Sequence, residues 1–196
     1  MNTRILFPFA LLALTACNGG ASAPDPAKQT AATEAVKLFA ETCIAADGNP
    51  ARVAQWAAAA NIPPMTADEL GKLPFGMMEV DLQQAWRLER GGTAFYLSTG
   101  AGACSVKTER ADEAAARAQF TALAGQNSGS RQTVLRADHT TSSPFPFKQL
   151  SYAWVMPQGD TETVLTANTS VSDQVPVQLA LIFTHRPRAA GSVTSN

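Results

Sequence analysis

Only a few residue types in this chain could do chemistry by themselves. There are three cysteines and two histidines among 196 residues. A metal site needs several His, Cys or carboxylate ligands brought together, and His139 and His185 stand apart in strand-like segments with no spaced ligand motif. No metal and no cofactor is expected. His185 closes an apolar run and reads as a surface residue at a strand exit. Asp138 and His139 invite an acid–base reading, with a serine as nucleophile. Neighbours in an extended segment point to opposite faces, however, so the plainer reading is a polar strand end. No Gly-x-Ser-x-Gly elbow is present, and no catalytic residue is assigned. Gly100-Ala101-Gly102 lies between two strand-like runs and not before a helix, which makes it a turn and not a phosphate cradle. Asn168-Thr169-Ser170 fits a glycosylation acceptor only formally.

The cysteines are more informative. Met1 to Ala16 holds one cation, Arg4, then an apolar stretch from Ile5 to Leu14, in the manner of an export signal. That stretch is about ten residues long and broken by Pro8, whereas a bilayer-spanning helix takes roughly 20. Leu14-Thr15-Ala16-Cys17 resembles the lipobox of bacterial lipoproteins. The resemblance implies cleavage before Cys17, acylation of its thiol and a membrane anchor through it, and Asn18 after the cysteine points to the outer membrane. The alternative is a soluble secreted protein cut near Ala23. Residues 1–16 are thus expected to be a signal peptide. Residues 17–30, reading NGGASAPDP from Asn18, are too poor in large apolar side chains to join a core and read as a tether. An exported protein folds in an oxidising compartment, and acylation of Cys17 leaves Cys43 and Cys104 to pair. Such a disulfide contributes about 4 kcal/mol in the chain-entropy model.

These cysteines need elements to carry them. Val36, Leu38, Phe39, Cys43 and Ile44 recur at helical spacing and predict a helix over 31–46 that Asp47-Gly48 stops. Asn49-Pro50 starts a second helix with Val53, Trp56, Ala57 and Ala60 inward, and Thr66 to Glu69 has capping-box spacing for a short third. From Ala85 the period becomes two. Trp86 and Leu88, Phe95 and Leu97, Cys104 and Val106 predict three strands joined by tight turns at Gly91-Gly92 and Gly100-Ala101. That register sets Leu88 opposite Phe95, Trp86 opposite Leu97, and Leu97 opposite Cys104. A fourth helix follows over 111–124 with Ala116, Phe120 and Leu123 inward and Gly125 as a left-handed cap. Four more strands complete the order: one at 131–137, one through Leu150, Tyr152, Trp154 and Met156, a Thr-rich one at 162–171, and one through Val175, Val177, Leu179, Leu181 and Phe183. The expected architecture is α+β. An antiparallel sheet in hairpins, three strands, a helix and four strands, is covered by the N-terminal helices across residues 31–186, with a disordered tail at 187–196.

Fifteen Lys and Arg against sixteen Asp and Glu give a formal charge of −1, so nothing grips a nucleic-acid backbone. The three tryptophans fall on predicted buried stripes and read as core. Thr140 to Phe147, TTSSPFPF, holds Phe145 and Phe147 between prolines, either as a rigid anchor for a partner protein or folded back over the sheet edge.

Phe39-Ala-Glu-Thr-Cys43, an Ala-rich second helix, a Trp-bearing hairpin and Cys104-Ser-Val106 before an Ala-rich helix, together with the lipobox, resemble a group of proteobacterial secreted proteins and lipoproteins represented in Neisseria and relatives. The resemblance spans 31–125 and implies location and a two-cysteine architecture. The expected function is a lipid-anchored envelope protein without enzymatic activity, a binding or structural module, one version being an inhibitor or immunity protein with an envelope partner. The alternative is a small periplasmic hydrolase.

Overall fold

A computed structural model describes residues 25–126, 130–142 and 146–188. Four helices and seven strands follow one another as α1 (Pro26–Phe39), α2 (Pro50–Ala59), α3 (Ala67–Leu70), β1 (Leu82–Arg90), β2 (Thr93–Gly100), β3 (Ala103–Thr108), α4 (Glu113–Gly125), β4 (Gln132–Thr141), β5 (Phe147–Val155), β6 (Thr161–Thr169) and β7 (Leu179–Pro187). The order is three strands, a helix and four strands in an α+β chain. All strands form one antiparallel sheet in the order β1-β2-β3-β7-β6-β5-β4. Two meanders meet where β7 returns to pair with β3, and β1 and β4 are left as edges. A bulge between Leu135 and Ala137 interrupts the β4 edge.

Helix α1 starts five residues before the expected 31 and takes in the end of the expected tether. Asp25 caps it by accepting from Ala27 N at 2.9 Å, and Pro26 occupies the first turn, where its missing N–H costs nothing. The small residues that made 17–30 look like linker are useful here. Ala31, Ala32 and Ala35 are buried, and side chains this short let α1 lie close to the Ala-rich α4. After Phe39 the helix widens into a π segment, Ala40–Ile44, in which Ala45 N donates to Ala40 O at 3.1 Å. Asp47 and Gly48, both at positive φ, then end it. Asn49 caps α2 and the Thr66–Glu69 box caps α3 as their sequences predict, while Ala60 is exposed beyond the end of α2.

The Gly91-Gly92 turn has both glycines at positive φ and sets Trp86 opposite Leu97 and Leu88 opposite Phe95. The next turn lies one residue later than expected, at Ala101-Gly102. Leu97 therefore faces Val106, and Cys104 faces Thr99. Gly102 is the residue at positive φ, so it must hold the turn's second central position. The shift leaves every side chain on its expected face because the sum of paired positions changes by an even number. Helix α4 also ends differently. Gly125 stays helical, because Trp154 Nε1 and Thr133 Oγ1 donate to the Ala124 carbonyl from the sheet and replace a left-handed cap. Leu123 is only partly buried and Ala124 takes its place inside. Strand β7 begins at Leu179 and not at Val175, since Pro176 has no N–H for a ladder. It runs through Pro187, and Arg188 N donates to Asp160 O at 2.8 Å; the rest of the expected tail, from 189, lies outside the described residues.

Residues from α1, α2, α4 and one sheet face form one core. Phe39, Phe120, Trp86, Phe95, Leu97, Leu165, Leu181 and Phe183 are among its large, fully buried members. Phe120 sits between Phe39 and Tyr152, with ring centroids 6.5 Å and 6.2 Å away. Cys43, in the π segment, is disulfide-bonded to Cys104 of β3 with Cα atoms 5.4 Å apart, and both residues are fully buried. No helix among the described residues is long and apolar enough to cross a membrane.

Candidate functional site: a cleft on the helix-free face

Alternation that turns Leu97, Val106, Leu181 and Ala167 toward the helices turns Ser98, Ser105, Lys107, Ala180, Ile182 and Asn168 to the other side. Two loops lie over that second face. The first, residues 71–81, is fastened by a buried polar cluster. Glu79 Oε2 accepts from Ser98 Oγ at 2.7 Å, and Glu79 Oε1 lies 2.9 Å from Lys107 Nζ. Lys107 also donates to Gly76 O at 3.0 Å, Ser98 and Ser105 hydroxyls lie 2.8 Å apart, and Asp81 Oδ2 accepts from Ala101 N. Burial opposes the charged form of Glu79, but the Lys107 ammonium and the hydroxyls of Ser98 and Ser105 outweigh it and hold the carboxyl below its ordinary value.

The second loop, residues 170–178, folds back on the Gln178 side chain. That amide is 2% exposed; its Oε1 accepts from Ala111 N, and its Nε2 donates to Asp173 Oδ1 at 2.7 Å and to Ser172 O. Ser170 Oγ donates to Pro146 O, and Lys28 of α1 pairs with Asp173 at 2.7 Å. Both loops are therefore tied down by hydrogen bonds, and the gap between them is a cleft of about 280 Å³.

Ala180 and Ile182 of β7 floor the cleft, Val175 and Val177 form one wall, and Phe147 stands at the start of β5. Lys107 and Asn168 flank Ala180 on the neighbouring strands. Asn168 Oδ1 is buried and accepts no hydrogen bond among the described residues. An apolar body with a donor beside it would fill this space and satisfy that oxygen. Phe75 and Val171, on the two loops, are 90% and 74% exposed and add apolar surface nearby.

Of the residues singled out in the sequence, Phe147 reaches this cleft half-buried. Phe145 and Cys17 lie outside the described residues. Cys43 and Cys104 are the staple under the helices. Asp138 and His139 are not a pair: Asp138 turns toward α4, where Arg117 holds it at 2.6 Å, and His139 is exposed one residue further on. His185 is exposed at the strand exit, edge-on to Phe183 at 5.1 Å and 3.2 Å from Thr163 Oγ1 and from Asp47 O. Trp86 and Trp154 are buried, and Trp56 is only half-buried. No three His, Cys, Asp or Glu side chains gather among the described residues. Lys107, Glu79, Asn168, Ala180 and Ile182 did not stand out in the sequence. The usable signal was Leu179 to Phe183, which is apolar at every position and so requires cover on both faces of the strand. Comparison with family models, curated proteins and solved structures finds no match for this chain.

Proposed function

We propose that this chain is a lipid-anchored protein of the bacterial envelope that works by binding, and that the helix-free cleft is where it binds. The observation that carries the reading is the cleft itself. It is pre-formed between two loops that are each hydrogen-bonded in place, its lining is mostly apolar, and its polar side chains are the Asn168 amide, the Thr169 hydroxyl and the Lys107 ammonium already paired with Glu79. A ligand with a short apolar body and a hydrogen-bond donor suits it. The leader with its lipobox-like Leu14 to Cys17 supports the anchor, and a disulfide sealed in the core suits a protein that folds outside the reducing cytoplasm.

Two measurements test this. Intact mass of the full chain from a bacterial host grown with an alkyne fatty acid should show label on Cys17 and none in Cys17→Ser; an uncut, unlabelled amino end overturns the anchor. Ile182→Trp fills the cleft floor. It should abolish saturable binding of a short-chain alkyl amide, seen as shifts of the Asn168 side-chain amide resonances, while the fold's other amide resonances stay in place. Unchanged binding in that variant, or no saturable shift in the parent, overturns the cleft as the binding site.

A further inference from the structure

The three tryptophans divide by exposure, and Trp56 packs against the core while leaving part of its ring open. Trp86 and Trp154 are buried, with the Trp154 indole N–H given to Ala124 O at 2.7 Å. Trp56 is half-buried and lines a separate, open pocket of about 310 Å³ with Glu41, Thr42, Arg52 and Gln55. This pocket lies where the π segment meets α2, away from the helix-free cleft. Its walls are held. The Arg52 guanidinium donates to Ala45 O at 2.8 Å, Arg90 donates to Glu41 Oε2 at 2.9 Å, and Cys43 between them is locked to β3. A π segment is rare, and its extra residue per turn often marks a ligand site.

We propose that this pocket is a second binding site, for a neutral sugar ring. A pyranose has two needs: a flat aromatic surface for its C–H face and planar polar side chains for its hydroxyls. Trp56 supplies the first. Glu41, Arg52 and Gln55 supply the second, since a carboxylate accepts, a guanidinium donates and an amide does both. The Gln55 amide and the Trp56 indole N–H make no hydrogen bond among the described residues and are available to a ligand. Charge selects among aromatic-binding ligands. Arg90 pairs with Glu41 and Arg52 adds a second cation to the lining, so a quaternary ammonium gains nothing from the Trp56 face here, and an anion meets the Glu41 carboxylate. A single carboxylate also leaves out the acid and base pair that cleavage of a glycosidic bond requires, so the site holds a sugar without hydrolysing it.

The test uses the disulfide-intact chain and three probes: methyl β-glucoside, N-acetylglucosamine, and cyclohexanol as a ring without the hydroxyl pattern. Because the other two indoles are buried, a fluorescence change on titration reports Trp56. Saturable quenching or enhancement by at least one pyranoside, with Kd about 1 mM, and none by cyclohexanol is the expected result. Trp56→Ala should remove ring-proton saturation-transfer signals. Gln55→Ala, at an exposed position that costs the fold little, should weaken binding several-fold and settles the matter if Trp56→Ala does not fold. No saturable response to either pyranoside overturns the proposal, as does pyranoside binding that Gln55→Ala leaves unchanged. Neither result bears on the helix-free cleft, which the alkyl amide reports separately.

Discussion

The two faces of the one sheet are covered by different physics. Under the helices the contacts are apolar and non-directional, through Phe39, Phe120, Leu97 and Leu165, with one covalent link from Cys43 to Cys104. On the far side directional polar pairs stand out: Glu79 with Lys107 and Ser98 fixes the 71–81 loop, while Ser151 with Thr166 at 2.9 Å and Glu162 between Arg136 and Arg186 tie neighbouring strands together. Apolar burial stabilises roughly in proportion to area. A buried ion pair adds little net stability over an apolar substitute but costs several kcal/mol when one partner is lost. The first face therefore sets how stable the fold is, and the second sets which loops stand still around the cleft.

Breaking the staple tests the helix-covered side with the largest effect. Cys43→Ala with Cys104→Ala should lower unfolding free energy by about 4 kcal/mol in urea, the chain-entropy value for a 61-residue separation. A loss below about 1 kcal/mol would mean that packing alone holds α1 to β3. Lys107→Met acts on the other side. It leaves the partly buried Glu79 carboxylate without its cation and should cost about 3 kcal/mol, with Glu79→Gln added to it restoring part of the loss.

Acid should separate the faces without a mutation. Burial opposes ionisation of Glu162, yet hydrogen bonds and charge from Arg186 and Arg136 outweigh it, so its carboxyl, like that of Glu79, is held below the ordinary 4.5. A lowered folded value means that the stabilisation is complete well above 4.5 and is lost as the pH falls from there through the folded values. Both groups lie on the helix-free side. Hydrogen exchange, corrected for intrinsic rates, should show amides of residues 72–81 and of the β6 start losing protection in acid before those of α1 and α4. The smallest effect belongs to the exposed Arg87–Glu89 pair on the same side: Arg87→Ala should change stability by less than about 0.5 kcal/mol, since water already screens it.

The helix-covered face was legible in the sequence because alternation and helical spacing write it out residue by residue. Trp86, Leu88, Phe95, Leu97, Cys104 and Val106 share it, and the Cys43–Cys104 link follows from putting both cysteines in one core. The same signal read at one place was missed at another. Asn49-Pro50 announced α2, while Asp25-Pro26, an equally good cap and first-turn proline, was hidden by a Gly- and Ala-rich approach that looks like linker. The helix-free face was illegible for a different reason. Glu79 and Lys107 are 28 positions apart and meet only because a loop without periodicity crosses β2 and β3. Val175 and Val177 continued the alternation of β7 on paper, and only Pro176 marked them as wall and not strand.

The bulge in β4 governs how these molecules behave in a crowd. An outer strand of ten residues with unpaired amides is a template on which another chain could extend the sheet. One surplus residue, Arg136, breaks the ladder's rhythm and carries its guanidinium back to Glu162. Deleting that single residue would straighten the border and leave Glu162 with one cation, turning a protein that ends its own sheet into one prone to fibrous self-association.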